Sequence, residues 1–291
     1  MRRHLFLSAA AALCLLFFVR CDGKSRDTLP REELFSISLG KMEDQIDLFL
    51  LPQAPFKHKT SLFMRDGTFY IASGSSFKVM EFSSYGDLLS MYYNADENPK
   101  PVILQNPAEG AVTNRRAHPY SFRQVGEVAV SSSKVLYVED RLPDERAVYD
   151  DKLGIVLNRI VLRFQGGEYQ GYLGQEGRGG TPFPYIQSLA VSNRDEVVVL
   201  CRAMTSWIVY WYSPTGDLLS TVHIPLDRLP APPGEKLFAN LETIVPDPDE
   251  RVLHLKLDYY QEGVDSSTGI KYGVEEITSR IYRLNVSTSR F

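Results

Sequence analysis

Residues 61–93, SLFMRDGTFYIASGSSFKVMEFSSYGDLLSMYY, form the stretch that decides the fold. Its four short segments rich in aromatic and aliphatic residues lie at 61–65, 68–72, 77–82 and 87–93. Asp66-Gly67 favours the positive backbone dihedral angles that a tight β-hairpin needs, and Ser84-Tyr85-Gly86-Asp87 favours a second reversal. The stretch therefore predicts a four-stranded antiparallel meander.

The same order of segments and turns recurs along the chain. The predicted strands are 128–130, 135–138, 159–164 and 169–173 in the second copy, 188–191, 197–200, 207–212 and 218–224 in the third, and 242–245, 252–257 and 280–286 in the fourth. The strongest sign of repetition is a shared turn, Gly86-Asp87-Leu88-Leu89-Ser90 in the first copy and Gly216-Asp217-Leu218-Leu219-Ser220 in the third. The fourth copy offers only three strands.

Repeated meanders predict stacked sheets, because a single meander cannot bury both of its faces. Radial stacking of such sheets is a β-propeller. We therefore expect an all-β fold, a propeller of four-stranded antiparallel blades with four blades readable. The blades begin near residues 61, 127, 188 and 242, further apart than the roughly 40 to 50 residues of common blades. Long loops are predicted at 95–124, 140–156 and 261–278.

Ring closure is predicted to come from the N-terminal side of the repeats. The segment Leu34–Leu39 alternates with strand periodicity and could supply the strand that the fourth copy lacks. Such closure would remove exposed sheet edges, which otherwise invite aggregation. The number of blades stays open at this point.

The second and third copies carry a family resemblance. The segments Val125–Val130, Val135–Val138 and Asn158–Phe164, followed by the Gly166-Gly167 turn, resemble an NHL-type propeller repeat. The third copy is similar, although it lacks the Asn-Arg pair before its third strand. The resemblance covers roughly residues 60–290 and implies a fold; it implies no reaction.

The N-terminus has the pattern of an export signal. Residues 2–4 are basic, and the apolar or small residues of Leu5–Val19 follow without interruption. This run is shorter than the roughly 20 apolar residues that span a bilayer, which favours a signal peptide at 1–20 over a retained anchor helix. A polar tether at 21–33 then leads to a predicted propeller domain at 34–291.

Cys21 stands just after the apolar run and resembles the acylated cysteine of a bacterial lipoprotein signal. The preceding residues Phe18, Val19 and Arg20 depart from the usual leucine and small residues, so cleavage elsewhere with a free Cys21 is the alternative. Together with the NHL-like repeats, the chain is similar to spirochaete lipoproteins. The resemblance implies a protein of the cell envelope, periplasmic or surface-exposed, that is membrane-anchored through an N-terminal lipid.

Composition and motifs exclude several classes of function. A net charge of −4 gives no basic field for nucleic acid, which is not an expected partner. His58, His118, His223 and His254 stand alone, without a metal-ligand spacing, and the chain has no Gly-x-Ser-x-Gly elbow of a hydrolase. Cys201 follows two apolar residues at the end of a predicted strand and is interpreted as a core residue.

One candidate binding site follows from aligning the copies. Ser61, Glu127, Ser188 and Glu242 fall at the start of each first strand, where side chains could reach a channel mouth, and Asp140 could join them. Carboxylate and hydroxyl oxygens suit a hard cation such as Ca²⁺, and propeller lactonases resemble this arrangement. The alternative is that these carboxylates are solvated channel or turn residues.

Two loops suggest a second kind of site. Tyr120 near Arg115 and Arg116 could form a recognition patch. Gly177-Arg178-Gly179-Gly180 is interpreted first as a flexible connection between blades, and the alternative is that Arg178 contacts an anion at the rim. The aromatic strand 207–212 is expected instead to pack between blades, with Trp207 and Trp211 on the side opposite Tyr210 and Tyr212.

These patterns favour a tethered module that binds a small molecule or a protein, because long loops on a rigid scaffold form composite surfaces. The first alternative is a metal-dependent propeller hydrolase or lyase that acts on a small metabolite. The second is a structural role in an envelope assembly.

Overall fold

A computed structural model describes residues 31–48, 58–104, 116–232, 237–264 and 267–288. The chain divides into two compact units, residues 1–34 and 35–291. Of the first unit, only residues 31–34 are described, and they belong to no strand. The predicted signal peptide and Cys21 lie outside the described residues. Within those ranges, no helix has the length and apolar character needed to cross a bilayer.

The described part of the second unit is all-β, as predicted, and each of the four predicted copies forms an antiparallel meander. The first sheet contains β1 Thr60–Arg65, β2 Thr68–Ser73, β3 Lys78–Phe82, β4 Leu88–Tyr93 and β5 Arg116–Pro119, which pairs parallel to β4. The third sheet contains four strands: Tyr185–Val191, Val197–Arg202, Ser206–Tyr212 and Leu218–Pro225.

The second sheet is a meander with an excursion. Its strands are β6 Val128–Val130, β7 Val135–Arg141, β10 Arg159–Gln165, β11 Glu168–Gly174 and β12 Gly177–Arg178, and the excursion between β7 and β10 forms the hairpin β8 Val148–Asp150 and β9 Ile155–Leu157. In chain order, the four strands of the third sheet, from Tyr185–Val191 to Leu218–Pro225, are numbered β13 to β16. The fourth sheet contains β17 Phe238–Pro246, β18 Val252–Val264 and β19 Lys271–Asn285. The described residues also form three single turns of 3₁₀ helix, at Gly74–Ser76, Asp144–Arg146 and Leu226–Arg228.

Two expectations about the blades are corrected. The sheets have five, five, four and three strands, so they are not uniform four-stranded blades. The predicted loop at 261–278 is largely strand, because β18 and β19 continue into it as a long hairpin. This segment contains strand-favouring residues such as Tyr272 and Val274, and Lys271 pairs with Glu262 across the hairpin at 2.5 Å.

The predicted closing strand does not form. Residues 34–38 belong to no strand, and Leu39 makes an isolated bridge with Ile46. The segment folds back on itself, since the Ile46 N–H donates to Ser38 O at 3.0 Å and the Gly40 N–H donates to Ile46 O at 3.0 Å. The Phe35 ring packs against Phe69, 5.2 Å between ring centres, so this segment covers the first sheet instead of completing the fourth.

Successive sheets pack face to face in chain order, with an apolar core between each pair. The core between the first and second sheets includes Tyr70, Val79, Val128 and Leu136; between the second and third, Tyr137, Leu173, Cys201 and Tyr210; and between the third and fourth, Trp207, Trp211, Leu255 and Leu257. The prediction for the aromatic strand is confirmed, because its tryptophans and tyrosines pack on opposite faces. Cys201 is a core residue, as predicted.

The hairpin turns at one end of the sheets are connected in the same order. Arg65 Nη1 of the first sheet donates to Val130 O of the second at 2.9 Å. Asp195 of the third sheet accepts the Ser132 N–H of the second at 2.6 Å, and the Asn193 N–H donates to Pro248 O near the fourth sheet at 2.7 Å. Each sheet is therefore held to the next by polar contacts as well as by a core.

The turn repeat found in the sequence is also a structural repeat. The Ser83 N–H donates to Asp87 O at 2.9 Å, and the Ser213 N–H donates to Asp217 O at 2.9 Å. In both turns a glycine takes a positive φ, 83° at Gly86 and 92° at Gly216. The same sequence therefore produces the same turn in the first and third copies.

Candidate functional site

Lys59 lies where the first strands of three sheets approach one another. Its Nζ donates to Glu139 Oε2 at 2.8 Å and lies 3.5 Å from Glu127 Oε1, both in or next to the second sheet. It also donates to Ile186 O of the third sheet at 2.5 Å and lies 4.4 Å from the centre of the Tyr185 ring. We call these residues, with Arg159, the Lys59 cluster.

Glu139 is the most deeply buried member of the Lys59 cluster, with a fully inaccessible side chain. Its Oε2 also accepts the Glu127 N–H at 2.9 Å, and Arg159 Nη1 lies 3.6 Å from Oε1. A Cβ at Gly126 would lie 2.1 Å from Glu139 Oε2, so only glycine lets the carboxylate approach the backbone here. A buried charge is tolerated when it is paired and hydrogen-bonded, which Glu139 achieves through Oε2, whereas Oε1 has no hydrogen-bond partner among the described residues.

Burial, together with the charges of the Lys59 cluster, shifts the pKa of its member Glu127 and of the neighbouring Cys201. Burial raises the pKa of Glu127, and Glu139 adds to the rise, while Lys59 lowers it without cancelling the effect. Burial also raises the pKa of Cys201 well above that of a free thiol, and the charge of Glu139 acts in the same direction. A thiol of this kind is a poor nucleophile, because the thiolate is the reactive form.

Beside Glu127, one of the predicted Ca²⁺ ligands, the structure places a cationic side chain of the chain itself. The Lys59 ammonium lies between the carboxylates of Glu127 and Glu139. In the ranges that the structure describes, no group of three or more His, Cys, Asp or Glu side chains is arranged to hold a metal ion. The described residues therefore give the Ca²⁺ hypothesis no support.

The predicted channel-mouth residues are only partly brought together. Ser61 Oγ donates to Gly126 O at 2.8 Å, which places it beside Glu127. Ser188 lies on β13 opposite Leu200, two residues after Ile186, whose carbonyl accepts from Lys59. Glu242 is exposed on the fourth sheet, where its described contact is Asn240 Nδ2 at 3.4 Å.

Asp140 belongs to a different environment from the Lys59 cluster. Successive residues of a strand face opposite sides, so Asp140 points away from Glu139. Its Oδ1 accepts the N–H groups of Arg123 at 3.0 Å and Gln124 at 2.6 Å, which fixes the loop before β6. Burial raises the pKa of Asp140 to about 6, and the hydrogen bonds only partly oppose the rise.

The predicted loop residues are also dispersed. Arg115 lies outside the described residues, and Arg116 is exposed at the start of β5. The Tyr120 ring packs 5.0 Å from Phe164, in the core between the first two sheets. Arg178 is exposed on β12, 3.9 Å from Asp217 of the third sheet. The structure therefore places Tyr120 in a packing role and leaves Arg116 and Arg178 on separate surfaces.

A cleft of about 420 Å³ opens between the first and second sheets. We call it the Tyr92 cleft, and its size is within the usual range for small-molecule sites. Its polar lining residues are Tyr70, Glu81, Ser90, Tyr92, Arg116, His118 and Lys134. It therefore combines one carboxylate, an imidazole, two phenols and two cationic side chains.

Glu81 forms the polar floor of the Tyr92 cleft. Its Oε1 accepts the Tyr70 hydroxyl at 3.2 Å, and its Oε2 accepts the Ser90 hydroxyl at 2.6 Å. These bonds orient the carboxylate, and burial together with Glu81 raises the pKa of Tyr70. Tyr70 therefore stays protonated and acts as a donor.

The wall of the Tyr92 cleft is a stacked pair of rings. The Tyr92 and His118 rings lie 4.9 Å apart, inclined by 28°. Burial and the nearby Arg116 lower the pKa of His118, so its imidazole is neutral at neutral pH. A Cβ at Gly167 would lie 2.2 Å from the His118 ring, so the glycine turn of the second sheet makes room for the stack.

The sequence predicted Glu127 of the Lys59 cluster and Arg116 of the Tyr92 cleft as site residues, but it did not predict most of the others. Lys59, Glu139 and Arg159 carry a usable signal, since charged residues next to or within predicted strands need buried partners. Glu81 carries the same signal inside the quoted stretch. His118 lies in the predicted loop 95–124, where the structure instead has β5, and its ring partner Tyr92 lies directly opposite it on β4. No model of a known protein family matches this chain, and no curated protein matches it.

Proposed function

We propose that this chain is an exported binding protein whose four meander sheets form an open NHL-type β-propeller, held at a membrane by a lipid on Cys21. The packing of the sheets in chain order and the approach of their first strands support the propeller arrangement. The basic and apolar N-terminal residues and the position of Cys21 support export and acylation. The binding role rests on the Tyr92 cleft.

The Tyr92 cleft suits a small anionic molecule that has a flat apolar part. Arg116 and Lys134 supply positive charge at the rim, where a carboxylate or phosphate would pair with them. The Tyr92 ring and the neutral His118 ring offer a surface on which a planar group can stack. Glu81 and Ser90 can orient a hydroxyl group of the ligand.

Three probes separate these contributions in calorimetric titrations of the full chain in detergent. Benzoate carries both a ring and a charge, benzyl alcohol carries only the ring, and acetate carries only the charge. We expect benzoate to bind more tightly than either of the others. Removing the rim charges with Arg116→Met or Lys134→Met should weaken benzoate binding about tenfold, the effect of losing a contact worth roughly 1.4 kcal/mol.

The matched control is Lys100→Met, which removes an exposed charge outside the cleft. Benzoate that binds no better than benzyl alcohol, or rim variants that bind it as the wild type does, would refute the proposal.

The membrane tether has its own test. Intact-mass analysis of the purified protein should give a chain that begins at Cys21 and carries acyl groups. Cys21→Ser should leave the membrane fraction, and a variant that stays there unchanged would contradict lipid anchoring at this residue.

A further inference from the structure

Among the described strands, the fourth sheet ends in an unpaired edge. Its described order is β17-β18-β19, so β19 pairs with β18 on one side only. β19 runs over Lys271–Asn285, and its outward N–H and C=O groups face no other described strand. An edge of this length is a template for pairing with another strand.

The side chains of β19 add apolar surface to this edge. Ile281 is 76% exposed, Val274 is 66% exposed and Tyr272 is 59% exposed. Beyond Tyr260, β18 and β19 continue as a two-stranded arm, since β17 pairs no further than this residue. A two-stranded arm is marginally stable in water by itself, so a further strand would stabilise it.

Charge is divided unevenly along β19. Glu275 and Glu276 lie in its first half, and Arg280 and Arg283 lie in its second half; all four are exposed. The first half also contains Lys271, whose charge is paired with Glu262 of β18 at 2.5 Å. A bulge separates the halves, because Ile277 is an extra residue between the pairs Tyr259–Thr278 and Tyr260–Glu276. Arg283 also pairs with Glu250 of its own chain, and its planar guanidinium has further donors available.

We propose that β19 pairs antiparallel with β19 of a second copy of this chain. Antiparallel pairing about a two-fold axis between Ile277 and Thr278 would place Glu275 of each strand opposite Arg280 of the other. Parallel pairing would instead place like charges opposite each other, which is destabilising. A two-fold interface requires a surface that is complementary to itself, and the charge pattern of β19 meets this condition.

The test uses two charge variants of the full chain. Variant one carries Glu275→Lys and Glu276→Lys, which makes both halves of the strand basic. Variant two carries Arg280→Glu and Arg283→Glu, which makes both halves acidic. Each chain is co-expressed with two different affinity tags, extracted in mild detergent and captured on one tag, and the second tag is measured.

The wild type should capture itself, and each variant should lose at least tenfold of this self-capture. Variants one and two should capture each other at a level near that of the wild type, because mixed pairs restore opposite charges. This mixed capture also shows that both variants are folded. The control variant, Glu145→Lys with Asp151→Lys, changes the charge equally on an exposed part of the second sheet's excursion and should self-capture normally.

Three results would overturn the proposal. A wild type that captures no second copy is a monomer or binds another partner. Variants that each capture themselves as the wild type does place the contact away from β19. Variants that fail both alone and together, while circular dichroism gives native β content, show that charge pairing across this edge does not hold two copies.

Discussion

Removing the Lys59 ammonium tests whether the Lys59 cluster stabilises the junction of the sheets. Lys59→Met keeps most of the apolar stem and deletes the charge. Glu139 would then remain fully buried without its 2.8 Å partner. Its remaining contacts would be the Glu127 N–H at 2.9 Å and Arg159 at 3.6 Å.

The expected magnitude follows from burial. Breaking a buried ion pair by removing one partner typically costs about 3 to 5 kcal/mol, because an uncompensated charge stays buried. The Lys59 side chain is 19% exposed and Arg159 stays near Glu139, so the lower value, about 3 kcal/mol, applies. With an m value of about 2 kcal/mol per M, the urea midpoint should fall by about 1.5 M.

The control for Lys59→Met is Lys134→Met. Lys134 pairs with Asp66 at 3.5 Å, and the two side chains are 54% and 66% exposed. Exposed pairs contribute about 0 to 1 kcal/mol, so this variant should unfold near the wild-type midpoint. Adding Glu139→Gln to Lys59→Met should recover part of the loss, because the buried charge is then absent. A Lys59→Met chain that loses no more stability than Lys134→Met would refute the reasoning.

Two further predictions concern pH and the Tyr92 cleft. The pKa of Asp140 is raised from 3.8 to about 6 in the folded chain, so folding binds a proton and the stabilisation is full below pH 4 and is lost as pH rises through 6. The wild type should therefore lose about 3 kcal/mol of unfolding free energy as the pH rises from 4 to 7. Urea midpoints of Asp140→Asn over the same pH range should not show this loss. An equal change of midpoint with pH in the two proteins would contradict the prediction. Gly167→Ala should displace His118, lowering both stability and benzoate affinity. Gly154→Ala, at a turn outside the cleft with open space around the added Cβ and a φ of 66°, should lower stability alone. Equal benzoate affinities in the two glycine variants would argue against the cleft.

Local features of the structure were predictable from the sequence. The strands of the quoted stretch lie within one or two residues of their predicted bounds, because turn residues such as Gly67 and Gly86 act through their own backbone angles. Alternation also placed Trp211 and Tyr212 on opposite faces of one strand. The arm at 261–278 was misread, since charged and glycine residues there are typical of loops while its cross-strand pairs favour a hairpin.

The candidate sites could be read only in part. Aligning the copies placed Ser61 near Glu127, because equivalent strands start at equivalent positions. The same alignment placed Glu242 with them, and the structure leaves it exposed on the fourth sheet. Aligning the copies assumes that they are all equivalent. The sheets differ in size and surroundings, so equivalent positions in the sequence do not all meet at one site.

By itself, the sequence determined the all-β character, the order of the meanders and the repeated turns, because strands and turns depend on residues close together in the chain. Only the tertiary structure decided that Lys59 meets Glu139, that the Phe35 segment covers the first sheet, and that His118 stacks on Tyr92. These contacts join residues from different elements. They depend on how whole sheets pack and which faces remain to be buried, which no local pattern specifies.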